Sequence, residues 1–157
     1  MGAGYHGGFG ATSGSKISTA VSASPSFVSP RKEDNLARFA SRMEKEAGFT
    51  DVIIHGTSTS ADYYLNGRWV KLDQRSLALM LKKDPGYKSG NIRLISCSTG
   101  ALDSGFAQNL ANKLGVTVKA PSDTLWVFPN GRVVIGASYK KNTGTWKTFK
   151  PQKKGGK

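Results

Sequence analysis

The stretch IRLISCSTGALDSGFAQNLANKLGVTVKAP, Ile92–Pro121, decides how this chain folds. Ile92, Leu94 and Ile95 form a short apolar run of the kind that a strand covered on both faces presents. It stops at Ser96-Cys97, and Ser98-Thr99-Gly100 makes a polar turn. Phe106, Ala107, Leu110, Ala111 and Leu114 then recur at helical spacing, with Asp103 or Ser104 as the cap and Gly115 as the stop. Val116 to Lys119 is the next strand, stopped by Pro121. Strand, helix, strand in this order predicts a parallel pair joined by a right-handed crossover.

Upstream, Phe49 to His55 holds a second apolar run, Val52-Ile53-Ile54, which ends at His55-Gly56. Ala61 to Lys71 is a hairpin turning at Asn66-Gly67. Asp73 can cap a helix bearing Leu77, Met80 and Leu81, terminated by Asp84-Pro85-Gly86. Before the first strand, Leu36, Phe39, Ala40 and Met43 predict a helix from about Lys32 to Ala47, with Gly48 as its stop. Downstream, Leu125 to Phe128 and Val133 to Ile135 flank Pro129-Asn130-Gly131 and form another hairpin, leaving Trp146 and Phe149 as anchors for the basic end. The expectation is a three-layer α/β domain over residues 32–149, with a mainly parallel sheet and peripheral hairpins. It follows a Gly/Ser-rich leader over residues 1–31 and precedes a basic tail over 150–157.

The 157 residues suit one domain, and 38% hydrophobic residues can fill a core. No apolar stretch approaches the roughly 20 residues of a membrane span. Met1 to Gly14 has no basic segment followed by an apolar block, so no secretory signal peptide is expected. Cys97 is the single cysteine, which excludes an intramolecular disulfide and a cysteine-based zinc site. Net charge is +13, of which +7 comes from the seven lysines between Tyr139 and Lys157, a stretch without acids. Such a concentration attracts phosphates, nucleic acid, anionic lipid or an acidic partner without choosing among them, and a merely solvated tail has the same composition.

Ligands of open parallel sheets gather at the carboxyl ends of the strands. Two chemistry-bearing residues fall there: His55 ends the first strand and Cys97 the second. A thiol attacks as its thiolate, and a neighbouring imidazole or a helix amino end favours that form. His55 as base and Cys97 as nucleophile are therefore expected to be neighbours in space. Each alone has a plainer reading, as a hydrogen-bonded core histidine and a small apolar filler. His6, in the leader, is a poor rival.

The two blocks Val52-Ile53-Ile54-His55-Gly56 and Ile92-Arg93-Leu94-Ile95-Ser96-Cys97 resemble the caspase-like clan of cysteine peptidases, which includes caspases, gingipains and self-processing peptidase domains of bacterial toxins. Arg93 to Trp126 also looks like C-terminal domains of bacterial polymorphic toxins, through Ser96-Cys97-Ser98-Thr99-Gly100, Phe106-Ala107-Gln108-Asn109-Leu110-Ala111, Gly115-Val116 and Ala120-Pro121. The resemblance covers roughly residues 50–150. It implies Cys97 as nucleophile, His55 as general base and then acid, and the backbone amides of Gly56 and Cys97 as the oxyanion hole. It implies a protein substrate, in a target or in the parent delivery chain, a cognate immunity protein, and a delivered effector acting in the target-cell cytoplasm. No metal or other cofactor is required. A polyphosphate activator would use the anion-binding candidates Lys140, Lys141, Lys147, Lys150, Lys153 and Lys154. Asp51, Asp62, Asp103 and Asp123 are the acids that could select a basic substrate residue.

Other classes compete. His55-Gly56-Thr57 also occurs in ADP-ribosyltransferases, but the late glutamate they need is missing, since Glu33, Glu44 and Glu46 all precede His55. A basic nuclease toxin would find nucleic acid readily, yet no acid-rich metal cluster is present. A non-catalytic anion- or nucleic-acid-binding module would use the lysines with Tyr139, Trp146 and Phe149.

Overall fold

The computed structural model describes residues 36–65, 68–84, 87 and 89–152. The leader, the start of the first helix at Lys32, the turns at Asn66-Gly67 and Pro85-Gly86, and Lys153 and Lys154 lie outside the described residues. The chain is mixed α/β, with a mainly parallel sheet and two smaller antiparallel sheets.

Strands β1 (Phe49–Ile53), β5 (Asn91–Ile95) and β6 (Val118–Pro121) are parallel, and β9 (Trp146–Phe149) closes that sheet antiparallel to β6. Between β1 and β5, strands β2 (His55–Gly56), β3 (Ala61–Leu65) and β4 (Arg68–Leu72) make an antiparallel sheet, followed by α2 (Gln74–Lys83). Helix α3 (Phe106–Leu114) is the crossover from β5 to β6, and β7 (Leu125–Val127) with β8 (Val133–Ile135) is a hairpin. No helix among the described residues is long and apolar enough to cross a membrane.

The period-2 alternation of strands sorts side chains onto two faces. Val52, Ile54, Ile92, Leu94, Val118 and Ala120 meet Leu77 and Leu81 of α2 and Phe106 and Leu110 of α3 in one buried cluster. Ile53 and Ile95 meet Leu125, Val127 and Ile135 of the hairpin and Leu36, Ala37 and Ala40 of α1 (Leu36–Ala40) in a second. The sheet is thus the middle of three layers. Each fully buried Leu, Ile or Phe contributes roughly 1.5–3 kcal/mol from the transfer of its surface out of water.

Caps account for several boundaries. Asp73 accepts the Ser76 amide at 2.8 Å and starts α2, as its position predicts. Gly115 ends α3 in the left-handed conformation, φ +72°. The start of α3 differs from expectation: its cap is Gly105, with no side-chain hydrogen bond, rather than Asp103 or Ser104. There the Phe106 and Ala107 amides donate to the carbonyls of Ser58 and Thr99, so tertiary partners replace a local cap.

The predicted first helix breaks after Ala40, and turns follow to Met43. The β7–β8 turn meets the chain at that point. Arg42 donates to the Pro129 carbonyl at 2.6 Å, and a Cβ on Gly131 (φ +92°) would overlap the Arg42 carbonyl. Two further boundaries move. Strand β6 runs through Pro121, which sits at its last position and pairs with Trp146 without needing an N–H there. Trp146 and Phe149 anchor the basic end by forming β9 itself.

Candidate active site

Strands β1 and β5 pair in register from Phe49↔Asn91 to Ile53↔Ile95. Two residues beyond the last pair on each strand stand His55 and Cys97, so both leave the parallel sheet at its carboxyl edge. The Ile54 amide still donates to the Ile95 carbonyl at 3.2 Å, after which the chain changes sheets. His55 therefore belongs to β2, opposite Asp62 of β3, and not to the end of the first strand as its apolar run suggests.

His55 is buried, 1% exposed, with the indole of Trp69 edge-on at 5.4 Å between ring centroids. Its Nδ1 is sealed from solvent with no hydrogen-bond partner among the described residues, while the residue makes other contacts. Cys97 is half-buried and packs against the α1–hairpin cluster. Its thiol donates a long hydrogen bond, 3.9 Å, to the Leu125 carbonyl.

Burial pushes the Cys97 thiol up to about 12, and the Asp123 carboxylate nearby adds to the rise, while a backbone hydrogen bond at Leu125 opposes it. A thiol in that state keeps its proton at neutral pH. This reverses the expectation that an imidazole and a helix end would hold the sulfur as thiolate. The first amides of α3 are committed to Ser58 and Thr99.

Gly56 links the two edges. A Cβ there would meet the Thr99 methyl at 2.7 Å and come within 3.5 Å of the Cys97 carbonyl oxygen, so the β2 backbone lies directly against the 97–99 turn. Ser98 in that turn has φ +55°, a left-handed conformation uncommon outside glycine. Its amide donates to the Asp123 carbonyl, and its carbonyl accepts from Ala101. Beneath it the buried hydroxyls of Ser96 and Thr99 share a 2.7 Å hydrogen bond. The result is an open cleft of about 510 Å³, lined by Gly56, Thr57, Ser58, Asp62, Cys97, Ser98, Ala101 and Thr124.

Thr57, Ser58, Ser98 and Thr124 are the site residues that sequence reasoning passed over. The polar loops after each apolar run were their only signal. The structure also separates the four acids. Asp62 lines the cleft, 3.6 Å from the Lys71 ammonium. Asp51 is buried and bidentate to Arg93, at 2.7 and 2.9 Å. Asp103 pairs with Lys147 at 3.0 Å, and Asp123 accepts the Thr124 amide. Of the lysine candidates, Lys140, Lys141 and Lys150 are exposed, and Lys147 is held by Asp103. Phe149 is buried and Trp146 half-buried under the Arg93 guanidinium, 5.4 Å from its ring centroid, so these two aromatics serve packing.

A family model described as a domain of unknown function, DUF8616, matches residues 23–135. No curated protein and no solved structure matches the chain.

Proposed function

We propose that this chain, which belongs to the domain family of unknown function DUF8616, is a thiol-dependent peptide hydrolase of caspase-like architecture whose resting state holds its nucleophile protonated. One observation carries the proposal: β1 and β5 end in register at Ile53↔Ile95, His55 and Cys97 each follow two residues later, and the Gly56 backbone lies against the 97–99 turn. The resemblance of the Val52–Gly56 and Ile92–Cys97 blocks to caspase-like peptidases, and of Arg93 to Trp126 to polymorphic-toxin domains, supports the class. In this proposal the substrate is a protein of a target cell or the parent delivery chain, and a cognate immunity protein covers the cleft.

His55 removes the Cys97 proton, and the sulfur attacks the scissile carbonyl carbon. The amides of Gly56 and Cys97 stabilise the oxyanion. His55 returns the proton to the departing amine, leaving a thioester that water, deprotonated by His55, hydrolyses to free acid and thiol. Cys97 already lines the cleft, whereas the His55 imidazole is buried against Trp69 and is not among the lining residues, so in this proposal substrate must first bring the imidazole to the sulfur, a step of closure before chemistry. The thiol's present hydrogen bond goes to Leu125.

A quenched-fluorescent peptide library incubated with the whole chain tests this. Cleavage that disappears in Cys97→Ala, and falls at least about 100-fold in His55→Ala, is the expected result. Hydrolysis that survives Cys97→Ala, or a wild-type chain that cleaves nothing while an electrophilic peptide leaves Cys97 unlabelled, overturns it.

A further inference from the structure

The β7–β8 hairpin carries a second concavity, of about 670 Å³, whose walls include Phe128, Arg132, Tyr139, Lys140 and Asn142. The rings form a nest. Tyr139 stands edge-on to Trp126 at 6.1 Å and to Phe128 at 6.4 Å, and it is 47% exposed. The Arg132 guanidinium lies 4.3 Å above the Phe128 ring and the Lys140 ammonium 5.7 Å from that of Tyr139.

The charged groups that these side chains offer are all cationic donors. Arg132, Lys140 and the adjacent Lys141 are exposed, and no carboxylate pairs with them among the described residues. Asn142 accepts the Ile135 amide on Oδ1, and its amide nitrogen adds donors. No acid among the described residues lines the concavity. The loop that carries Tyr139 is tied down: Gly136 donates to the Thr124 carbonyl and Gly144 to that of Ile135, while the Trp126 indole donates to Gly136 at 2.9 Å.

We infer that this aromatic and cationic concavity binds single-stranded nucleic acid, an unpaired base stacking on the exposed Tyr139 ring while Arg132, Lys140 and Lys141 take the flanking phosphates. The ligand must supply negative charge and acceptors together with a flat apolar face. An unpaired nucleotide unit has all three, whereas the bases of a duplex keep their faces inside the stack. An acidic polypeptide supplies the charge and lacks the flat face. The site stands apart from the Cys97 chemistry and does not depend on it, although both share β7, which begins at the thiol's acceptor Leu125 and leads to Phe128.

The experiment is fluorescence anisotropy of a labelled oligothymidylate titrated with the whole chain at low and moderate salt. The double variant Tyr139→Leu/Arg132→Gln should weaken binding roughly tenfold or more, and the loss of Arg132 should flatten the log–log salt slope by about 1. Lys82→Gln, which removes one exposed charge from α2, should change binding less than about twofold. Lys140→Gln, at an exposed position, gives the same direction as the double variant and guards against a folding defect in it. Equal losses in Lys82→Gln and the patch variants would reduce the effect to bulk charge and overturn the inference. So would polyglutamate binding at the patch while oligothymidylate fails to bind, an outcome that makes the surface a protein-docking face instead.

Discussion

The two faces of the parallel sheet are built from the same strands and differ in what they hold. On the α2–α3 face, the buried residues of β1, β5 and β6 are aliphatic. On the α1–hairpin face, the register row Asp51, Arg93, Lys119 crosses the sheet as charges, with the Glu46 carboxylate on Lys119 and the buried Asp51–Arg93 pair against the Trp146 ring. Cys97 is on this face too. The first face is covered by two amphipathic helices of ordinary length, and the second by a five-residue helix and a hairpin. A face covered by helices leaves little room for water or charge. One covered by small elements admits both, and Cys97 lies there.

The contrast can be broken by mutation. Phe106→Ala on the helix-covered face should cost about 3–5 kcal/mol in urea unfolding, because the ring is fully buried and a cavity remains. A cost below about 1 kcal/mol would mean that this face is as loosely filled as the other. Next in size is the thiol itself. With Cys97 at about 12 against an ordinary 9.0, native alkylation near pH 8 should run roughly a thousandfold slower than in urea-unfolded chain.

The same rise fixes a pH dependence. Between about 9 and 12 the unfolded thiol releases its proton while the folded one keeps it, so stability falls as pH rises through that window. Cys97→Ala should remove that part of the alkaline decline, which a series of urea melts from pH 8 to 11 would reveal.

Arg93→Met should cost about 3 kcal/mol by stranding the Asp51 carboxylate, at the low end of such losses because Lys45 stays 3.9 Å away. Adding Asp51→Leu should recover most of it, and a double variant no better than the single would show that the pair is needed for more than its own neutralisation. The smallest effect belongs to the Asp73 cap. The Ser76 amide holds its carboxylate below the usual value of 3.8, so the cap's contribution is present above that pH and is lost as acid protonates it. Asp73→Ala should lower the Tm by no more than a few degrees at neutral pH, and by less in strong acid.

Much of the fold was legible. The runs Val52-Ile53-Ile54 and Ile92 to Ile95, the helical spacing of Phe106 to Leu114, and the turn at Pro129-Asn130-Gly131 are local patterns, and local hydrophobic periodicity is what selects strand or helix. The helix expected from Lys32 to Ala47 stops at Ala40 although Met43 keeps the helical period. It reaches the core all the same, from a turn imposed by a hairpin nearly 90 residues away.

The candidate site was legible as two strand ends and no further. Residue order determined that His55 and Cys97 would leave adjacent parallel strands, since the apolar runs, their stops and the crossover helix are all encoded within short windows of sequence. Only the tertiary structure decided the state of each group: Ile54 hands His55 to a second sheet under Trp69, and the hairpin brings Leu125 and Asp123 against the sulfur. A side chain's proton affinity depends on the solvent and charges within a few ångströms of it. Those neighbours come from segments distant along the chain, whose arrival at the sheet edge no local pattern records.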